Sequence, residues 1–148
     1  MANDTSLEVT PCNCTAIRKA ARHMTRFYDA CLAEVGLRGT QYIILRSLST
    51  QGPMTINALA EVMVMDRTTV THNVKPLQRD GLVAIEVDPD DRRSRIVTLT
   101  KSGVASVRQG ETAWAKAQAQ FESRFGKGKA REMRKVMSEV TRTELCAD

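Results

Sequence analysis

The chain has 148 residues, with 22 lysines and arginines against 17 aspartates and glutamates and a formal net charge of +5 at pH 7. This length accommodates one domain, or a small domain with helices that join it to a partner, and argues against two full domains. The modest positive charge permits a polyanionic partner but does not require one, since many basic proteins bind none.

The N-terminal segment from Met1 to Pro11 is polar and contains no apolar run. It therefore lacks the signature of a signal peptide, and no later stretch approaches the roughly 20 apolar residues of a membrane span. We expect a cytoplasmic protein with no membrane partner. The cysteines are too few and too unevenly placed for a disulfide framework, so a reducing compartment would keep most of them as thiols. They are Cys12, Cys14, Cys31 and Cys146.

The N-terminal third is predicted to form two helices. Apolar residues recur at three- and four-residue steps from Cys14 to Val35, which indicates a long amphipathic helix that closes near Gly36. A second helix is predicted from about Thr40 to Ser49, before the helix-stopping pair Gly52-Pro53. Its inward residues are expected to be Tyr42, Ile43, Leu45 and Leu48.

The central segment combines two short helices with a hairpin. Ile56 to Met63 is predicted as a third helix, and Asp66 is expected to cap a fourth that runs to Arg79 before Gly81. Only a tight turn separates these helices. β-Branched residues in Leu82 to Val87 and Arg95 to Leu99 flank an Asp-Pro-rich loop, which predicts an antiparallel hairpin.

After Lys101 the chain is predicted to be helical to its end, with a break at Gly126-Lys127-Gly128. The apolar stripes of these helices have little of a small monomer to bury against, so we expect the terminal helices to pack on each other across a homodimer. The stripes contain Val104, Val107, Trp114, Ala117, Phe121 and Phe125, then Met133, Val136, Met137 and Val140.

The predicted fold is mainly α with a small β-hairpin wing, in the order α-α-α-α-β-β-α-α. Residues 37–100 would form a winged helix-turn-helix DNA-binding domain. Residues 1–36 and 101–148 would form the flanking dimerisation helices.

The fourth helix carries a polar stripe opposite its apolar face. Because Val70, Val74 and Leu77 share the inward face, helical geometry leaves only hydrogen-bond donors and cations outside. Such groups suit base edges and phosphates in a major groove, although a solvated helix face would show the same pattern. Asp66 is interpreted as a cap that accepts from the N–H of Thr68 or Thr69. The residues predicted to contact DNA are Arg67, Thr68, Thr69, Thr71, His72, Lys75 and Arg79.

The hairpin tip concentrates Arg92, Arg93 and Arg95 within four residues. A narrow minor groove attracts arginine by its negative potential, so these side chains favour a DNA-binding wing. Three aspartates make the tip nearly neutral overall. We expect one of them to orient an arginine through a fork-shaped ion pair.

Several motifs resemble the MarR family of winged helix-turn-helix regulators, and the resemblance extends over nearly the whole chain. They are Leu59-Ala60-Glu61, Met65-Asp66-Arg67-Thr68-Thr69-Val70-Thr71, Leu77-Gln78-Arg79-Asp80-Gly81-Leu82-Val83, Asp91-Arg92-Arg93-Ser94, Leu99-Thr100, Gly36-Leu37 and Thr40-Gln41-Tyr42. The resemblance implies a dimer that binds a pseudo-palindromic operator, usually represses, and releases DNA on meeting a small molecule or an oxidant.

By this resemblance Arg93 is the wing-tip arginine of the minor groove and Asp91 is its ion-pair partner. Two residues depart from the family pattern. Val64 occupies the turn where glycine often helps, so a left-handed backbone is not expected there. Pro76 lies inside the recognition helix, where it removes the hydrogen bond to the His72 carbonyl and should kink the axis.

Two sensing modes remain open on the first helix. In one, an aromatic carboxylate or related anion lies between the helical layer and the winged lobe, with Met63 and Met65 as apolar lining. Its anion partners would be Arg18, Arg22, His23 and Arg26, although a solvated face explains the arginines equally.

In the other mode Cys14 senses peroxide. Its place in the first turn, near a start at Thr10-Pro11 or an Asn13 cap, favours a thiolate. By resemblance to organic-hydroperoxide regulators of the family, Cys14 matches the sensing cysteine and Tyr28 a tyrosine that engages it. Such sensors carry further tyrosines where this chain has Arg18 and Gly39.

The other cysteines are expected to play no sensing role. If Cys14 is not a sensor, it is expected, like Cys31, to be a small apolar residue in a dimer interface. Cys12 and Cys146 are interpreted as incidental, and Cys12-x-Cys14 lacks the spacing of a zinc site.

The sequence predicts neither an enzyme nor a cofactor, because it has no glycine-rich phosphate loop, metal-binding histidine pair or nucleophile elbow. The leading hypothesis is a homodimeric, sequence-specific repressor that a small aromatic or anionic ligand releases from double-stranded DNA. The alternatives are peroxide sensing through Cys14 and a winged-helix module used only for protein contacts.

Overall fold

The computed structural model describes residues 9–145, so Cys146 and the first eight residues lie outside the described part. The elements are α1 (Asn13–Leu32), a 3-10 turn (Ala33–Val35), α2 (Gly39–Gln51), β1 (Met54–Thr55), α3 (Ile56–Met63), α4 (Arg67–Arg79), β2 (Val83–Val87), β3 (Arg95–Leu99), α5 (Lys101–Phe125) and α6 (Lys127–Arg142). The predicted fold class, mainly α with a small β wing, is confirmed.

The sheet contains a strand that the sequence analysis missed. β1 pairs antiparallel with β3, with Met54 opposite Val97 and Thr55 opposite Ile96, so the strand order is β1-β3-β2. A strand of two residues is too short to show the alternation of apolar and polar side chains that marks a strand. Its position matters because it joins the start of α3 to the wing.

The predicted inner face of α2 is wrong at one residue. Ile43 is 49% exposed, whereas the side chain of Ile44 is fully buried with those of Leu45 and Leu48. Successive helical residues are about 100° apart, so Ile44, Leu45 and Leu48 share one face and Ile43 points away from it.

The core lies where α2, α3, α4 and the sheet meet, and α5 packs against it through two glycines. A Cβ atom on Gly110 would lie 2.6 Å from the ring of Tyr42, and one on Gly103 would overlap the carbonyl oxygen of Leu82. These close approaches tie the long α5 helix to the winged lobe.

The predicted helix break near Gly126 is confirmed, since α5 ends there with a glycine φ of 104°. Apolar side chains on α5 and α6 remain 38% to 42% exposed in the single chain: Val104, Phe125, Val136, Met137 and Val140. Within residues 9–145 no helix is both long and apolar enough to cross a membrane.

Candidate nucleic-acid interface and inter-lobe cleft

The recognition helix α4 begins at a well-formed cap. Asp66 Oδ1 accepts the Thr69 backbone N–H at 2.8 Å, and Oδ2 accepts the Thr69 hydroxyl at 2.7 Å. These two hydrogen bonds hold the pKa of the Asp66 carboxyl below its ordinary value. The predicted cap is confirmed, with Thr69 as its donor.

The turn before α4 corrects a prediction. Val64 adopts the left-handed conformation, with φ 52° and ψ 49°, which we did not expect of a β-branched residue. The Val64 N–H reaches the Glu61 carbonyl and the Met65 N–H reaches the Ala60 carbonyl, so the turn closes α3 as glycine turns do. The side chain is 76% exposed. The left-handed backbone costs about 1–2 kcal/mol for a residue with a Cβ atom, and the rest of the fold offsets this cost.

The polar stripe of α4 forms a shallow groove, here called the DNA-facing groove. Five of the residues predicted to contact DNA line its volume of about 470 Å³: Arg67, Thr68, Thr71, His72 and Lys75. On the inward side Val70, Val74 and Leu77 are fully buried, as predicted. The helix continues through Pro76 to Arg79, and the kink expected at Pro76 stays a prediction.

Two predicted contacts lie elsewhere. The Thr69 hydroxyl is donated to Asp66, so it belongs to the cap. Arg79 forms an ion pair with Asp80, with 3.0 Å between Nε and Oδ1, and lines a different depression from the DNA-facing groove.

The wing aspartates shape the backbone instead of orienting an arginine. Asp91 Oδ1 accepts the Arg93 backbone N–H at 3.0 Å, and Oδ2 accepts the Ser94 hydroxyl at 3.1 Å. Among residues 9–145 the ion pairs are Arg79–Asp80 and Arg134–Glu122, so the predicted Asp91–Arg93 ion pair is not formed in this structure. Arg95 bends back to the carbonyls of Arg92 and Ser94. Arg92 and Arg93 project from the tip with exposed side chains.

A larger cleft separates α4 from α1 and the start of α2, and is here called the inter-lobe cleft. It has a volume of about 500 Å³ and is lined by Thr25, Asp29, Arg38, Thr40, Gln41, His72, Asn73, Pro76 and Arg79. Its single carboxylate, Asp29, accepts the Gly39 backbone N–H at 2.7 Å. The two arginines thus face one aspartate that is already engaged.

An apolar pocket of about 270 Å³ adjoins the cleft and shares Thr25 and Thr40 with it. Three aromatic side chains contribute to its lining, Tyr28, Tyr42 and Trp114. The guanidinium of Arg46 lies 4.8 Å from the centre of the Trp114 ring and donates to the Tyr42 hydroxyl. This contact holds the two aromatic rings of α2 and α5 in place.

The residues predicted to bind a ligand do not come together. Arg18, Arg22 and Arg26 are exposed along α1, and Met63 packs half-buried against the core. His23 lines a separate groove beside Phe121, and Met65 borders a surface depression beside Arg67. The structure instead assembles the cleft from the start of α2 and the C-terminal half of α4. The sequence analysis did not predict Arg38 and Asp29 as cleft residues, because periodicity within one helix cannot show which helices pack beside one another.

The first helix begins differently from either predicted start. Cys12 is the N-cap residue of α1, and its sulfur accepts the Thr15 backbone N–H at 3.4 Å. Hydrogen bonding to Thr15 lowers the pKa of the Cys12 thiol. The residue interpreted as incidental therefore caps the helix. Cys14 is exposed in the first turn, and Cys12, Cys14 and Cys31 are free thiols.

Cys14 and Tyr28 do not form a site within one chain. Fourteen residues of continuous helix separate them, which is about 21 Å along the axis. The Tyr28 hydroxyl donates to Gln118, whose amide donates to Glu122, and Glu122 pairs with Arg134. Burial, and then the charge of Glu122, raise the pKa of Tyr28. This network joins α1, α5 and α6, and the sequence offered no signal for it.

Within residues 9–145, no group of three or more histidine, cysteine or acidic side chains could hold a metal ion.

A short helix, a tight turn, a capped second helix and a β wing with arginines at its tip define a winged helix-turn-helix protein.

Comparison with known proteins finds similarity to MarR-family regulators. Residues 37–94 match the model of the MarR family. The transcriptional activatory protein BadR of Rhodopseudomonas palustris is 39% identical over 71 residues, 46% of this chain and 41% of that protein. The repressor NicR of Pseudomonas putida is 33% identical over 89 residues, 60% of this chain and 56% of that protein. The chain thus spans about half the length of these curated relatives.

Similarity to a solved DNA complex covers more of the fold. The M. tuberculosis regulator MosR in complex with DNA is 29% identical with a TM-score of 0.76, and the match covers 90% of this chain and 99% of that one. Residues 37–94 therefore resemble the MarR family of transcriptional regulators, and the fold is similar to that of a regulator solved in complex with DNA. The relatives of this chain are regulators rather than enzymes, in agreement with the sequence analysis.

Proposed function

We propose that the protein is a homodimeric repressor that binds a pseudo-palindromic operator through α4 and the wing. The observation that carries the proposal is the DNA-facing groove, where one side of a capped helix presents Arg67, His72 and Lys75 beside threonine hydroxyls. These groups are donors suited to guanine and adenine edges and to phosphates. Arg92 and Arg93 at the wing tip suit the negative potential of the adjacent minor groove.

The homodimer is supported by the apolar surface that one chain leaves uncovered. A groove of about 420 Å³ between α1 and α5 is lined by Phe27, Phe121 and Phe125, and Phe121 stacks on Phe125. A second copy would cover this groove together with the exposed stripe of α6. We infer that residues 1–36 and 101–148 serve dimerisation and residues 37–100 bind DNA. The two α4 helices would then enter major grooves about 34 Å apart.

The effector is proposed to be a small aromatic or related anion held in the inter-lobe cleft. Arg38 supplies positive charge there, Arg79 offers the guanidinium N–H groups that its ion pair with Asp80 leaves unused, and Asp29 is engaged by the Gly39 N–H. The adjoining pocket offers Tyr28, Tyr42 and Trp114 to an aromatic ring. This assignment replaces Arg18, Arg22, His23, Arg26, Met63 and Met65 as the ligand-binding residues.

The test begins with selection of bound fragments from genomic DNA, followed by fluorescence anisotropy with the selected operator. Lys75→Ala should weaken binding to every sequence, because it removes a cation from the groove. Lys116→Ala is the matched control, since Lys116 is exposed on α5, away from the groove. Equal affinity of the two variants for the operator would contradict the proposal that this groove binds DNA. Retention of no fragment at all would favour a protein-contact module.

Light scattering during size exclusion tests the dimer against the 16.4 kDa chain. A mass of one chain at the concentration that saturates the operator would contradict the homodimer. A reporter placed downstream of the operator tests repression, which requires higher expression when the protein is removed.

A further inference from the structure

One side chain lies on both of the depressions that flank α4. His72 lines the DNA-facing groove and also the inter-lobe cleft, and among residues 9–145 it is the residue these two linings share. Helical geometry explains the position. Thr68, Thr71 and Lys75 lie on one side of His72 around the helix, and Asn73 and Pro76 lie on the other.

The imidazole is available to either side. It is exposed, and within the described chain no hydrogen bond or ion pair occupies it. Pro76 has no N–H, so the His72 carbonyl also lacks its usual helical donor. Residue 72 therefore has fewer attachments than its neighbours, since the Thr71 hydroxyl and the Asn73 amide are bonded to carbonyls one turn back.

We propose that His72 couples the two sites. An imidazole ring N–H can serve a base or phosphate in the groove, or an anion held with Arg38 and Arg79 in the cleft. A neutral imidazole carries one ring N–H, so it donates to one of these partners at a time. An anion in the cleft thus withdraws His72 from the DNA-facing groove, and operator and effector compete for one side chain. This inference rests on the proposed function, because it requires operator binding.

The test places a charge in the cleft without knowledge of the natural effector. Thr25 lines the cleft from α1 and is exposed, so Thr25→Cys offers a point of attachment. In a full-length background with the four native cysteines changed to serine, this thiol is alkylated with iodoacetate, which adds a carboxylate. Iodoacetamide adds a neutral group of the same shape and is the matched control. Each modified protein is prepared with His72 and with His72→Ala, and its affinity for the selected operator is measured.

The four affinities separate coupling from general repulsion between the added carboxylate and DNA. Repulsion weakens binding by the same factor with or without His72. Coupling adds a further loss of affinity of about fivefold to tenfold, the effect of one hydrogen bond, and only in the protein that retains His72. Equal carboxylate-to-carboxamide ratios in the His72 and His72→Ala backgrounds would overturn the proposal, as would the absence of any carboxylate effect in both. Failure of the unmodified Thr25→Cys protein and of the wild type to bind any operator would instead refute the proposed function.

Discussion

Gly110→Ala should destabilise the protein because α5 packs on the winged lobe at this glycine. The added Cβ would lie 2.6 Å and 2.8 Å from two ring carbons of Tyr42 and 3.3 Å from a Leu37 methyl carbon. Tyr42 is 1% exposed and its hydroxyl accepts from Arg46, so the ring has little room to retreat. Because both ring contacts lie under 3 Å, the cost should fall at the upper end of the usual range for overpacking, about 3 kcal/mol. Alanine's higher helix propensity returns about 1 kcal/mol of that.

The expected net loss is about 2 kcal/mol in the free energy of unfolding, or about 4–8 °C in Tm for a chain of this size. Thermal unfolding followed by circular dichroism measures it, at one protomer concentration because a dimer's Tm depends on concentration. Gly128→Ala is the matched control. It is also helical, but its Cβ would meet no atom within 4 Å, so stability should rise by up to about 1 kcal/mol. Equal Tm values for Gly110→Ala and wild type would refute this account of α5 packing.

Three further changes test the recognition unit and the first helix. Val64→Gly should raise stability by up to about 1 kcal/mol in urea unfolding, because relief of the left-handed strain exceeds the added freedom of the unfolded chain; a loss would show that the turn is unstrained. Asp66→Ala should destabilise at pH 7. Because the folded-state pKa of Asp66 is lowered, wild type should begin to lose this advantage as pH falls below the ordinary value of 3.8, and a stability difference that does not change with pH would argue against the cap. An organic hydroperoxide should not release operator, since Arg18 and Gly39 stand where peroxide-sensing relatives carry further tyrosines; release from wild type but not from Cys14→Ser would contradict that expectation.

The recognition unit was predictable because its signals are local. The start of α3 and both ends of α4 follow from a threonine or aspartate cap, an apolar stripe and Gly81 just after α4, each a signal within one or two helical turns. The exposed polar stripe then follows from helical periodicity. The same local logic failed at Val64, because packing of α3 against α4 determines that turn and overrides the preference of a single residue.

The inter-lobe cleft was not predictable from local patterns. Asp29 of α1 and Arg38 at the start of α2 are near each other in the sequence, but most of the winged domain separates them from Arg79, and only the fold brings the three together. The wing shows a related failure. Asp91 lies two residues before Arg93 in the sequence, and this spacing fits two arrangements. The carboxylate can pair with the neighbouring guanidinium, or it can accept hydrogen bonds from groups of its own turn. The turn is formed by the second choice.

The salt dependence of operator binding tests the central claim most directly. Binding through the DNA-facing groove and the wing releases counterions, so the logarithm of the association constant should fall linearly and steeply with the logarithm of salt concentration. Arg93→Ala should weaken binding by about 1–3 kcal/mol and reduce the magnitude of that slope by about one, because one guanidinium no longer meets the DNA. An operator affinity that ignores salt, or an Arg93→Ala variant with the affinity and slope of wild type, would contradict the account.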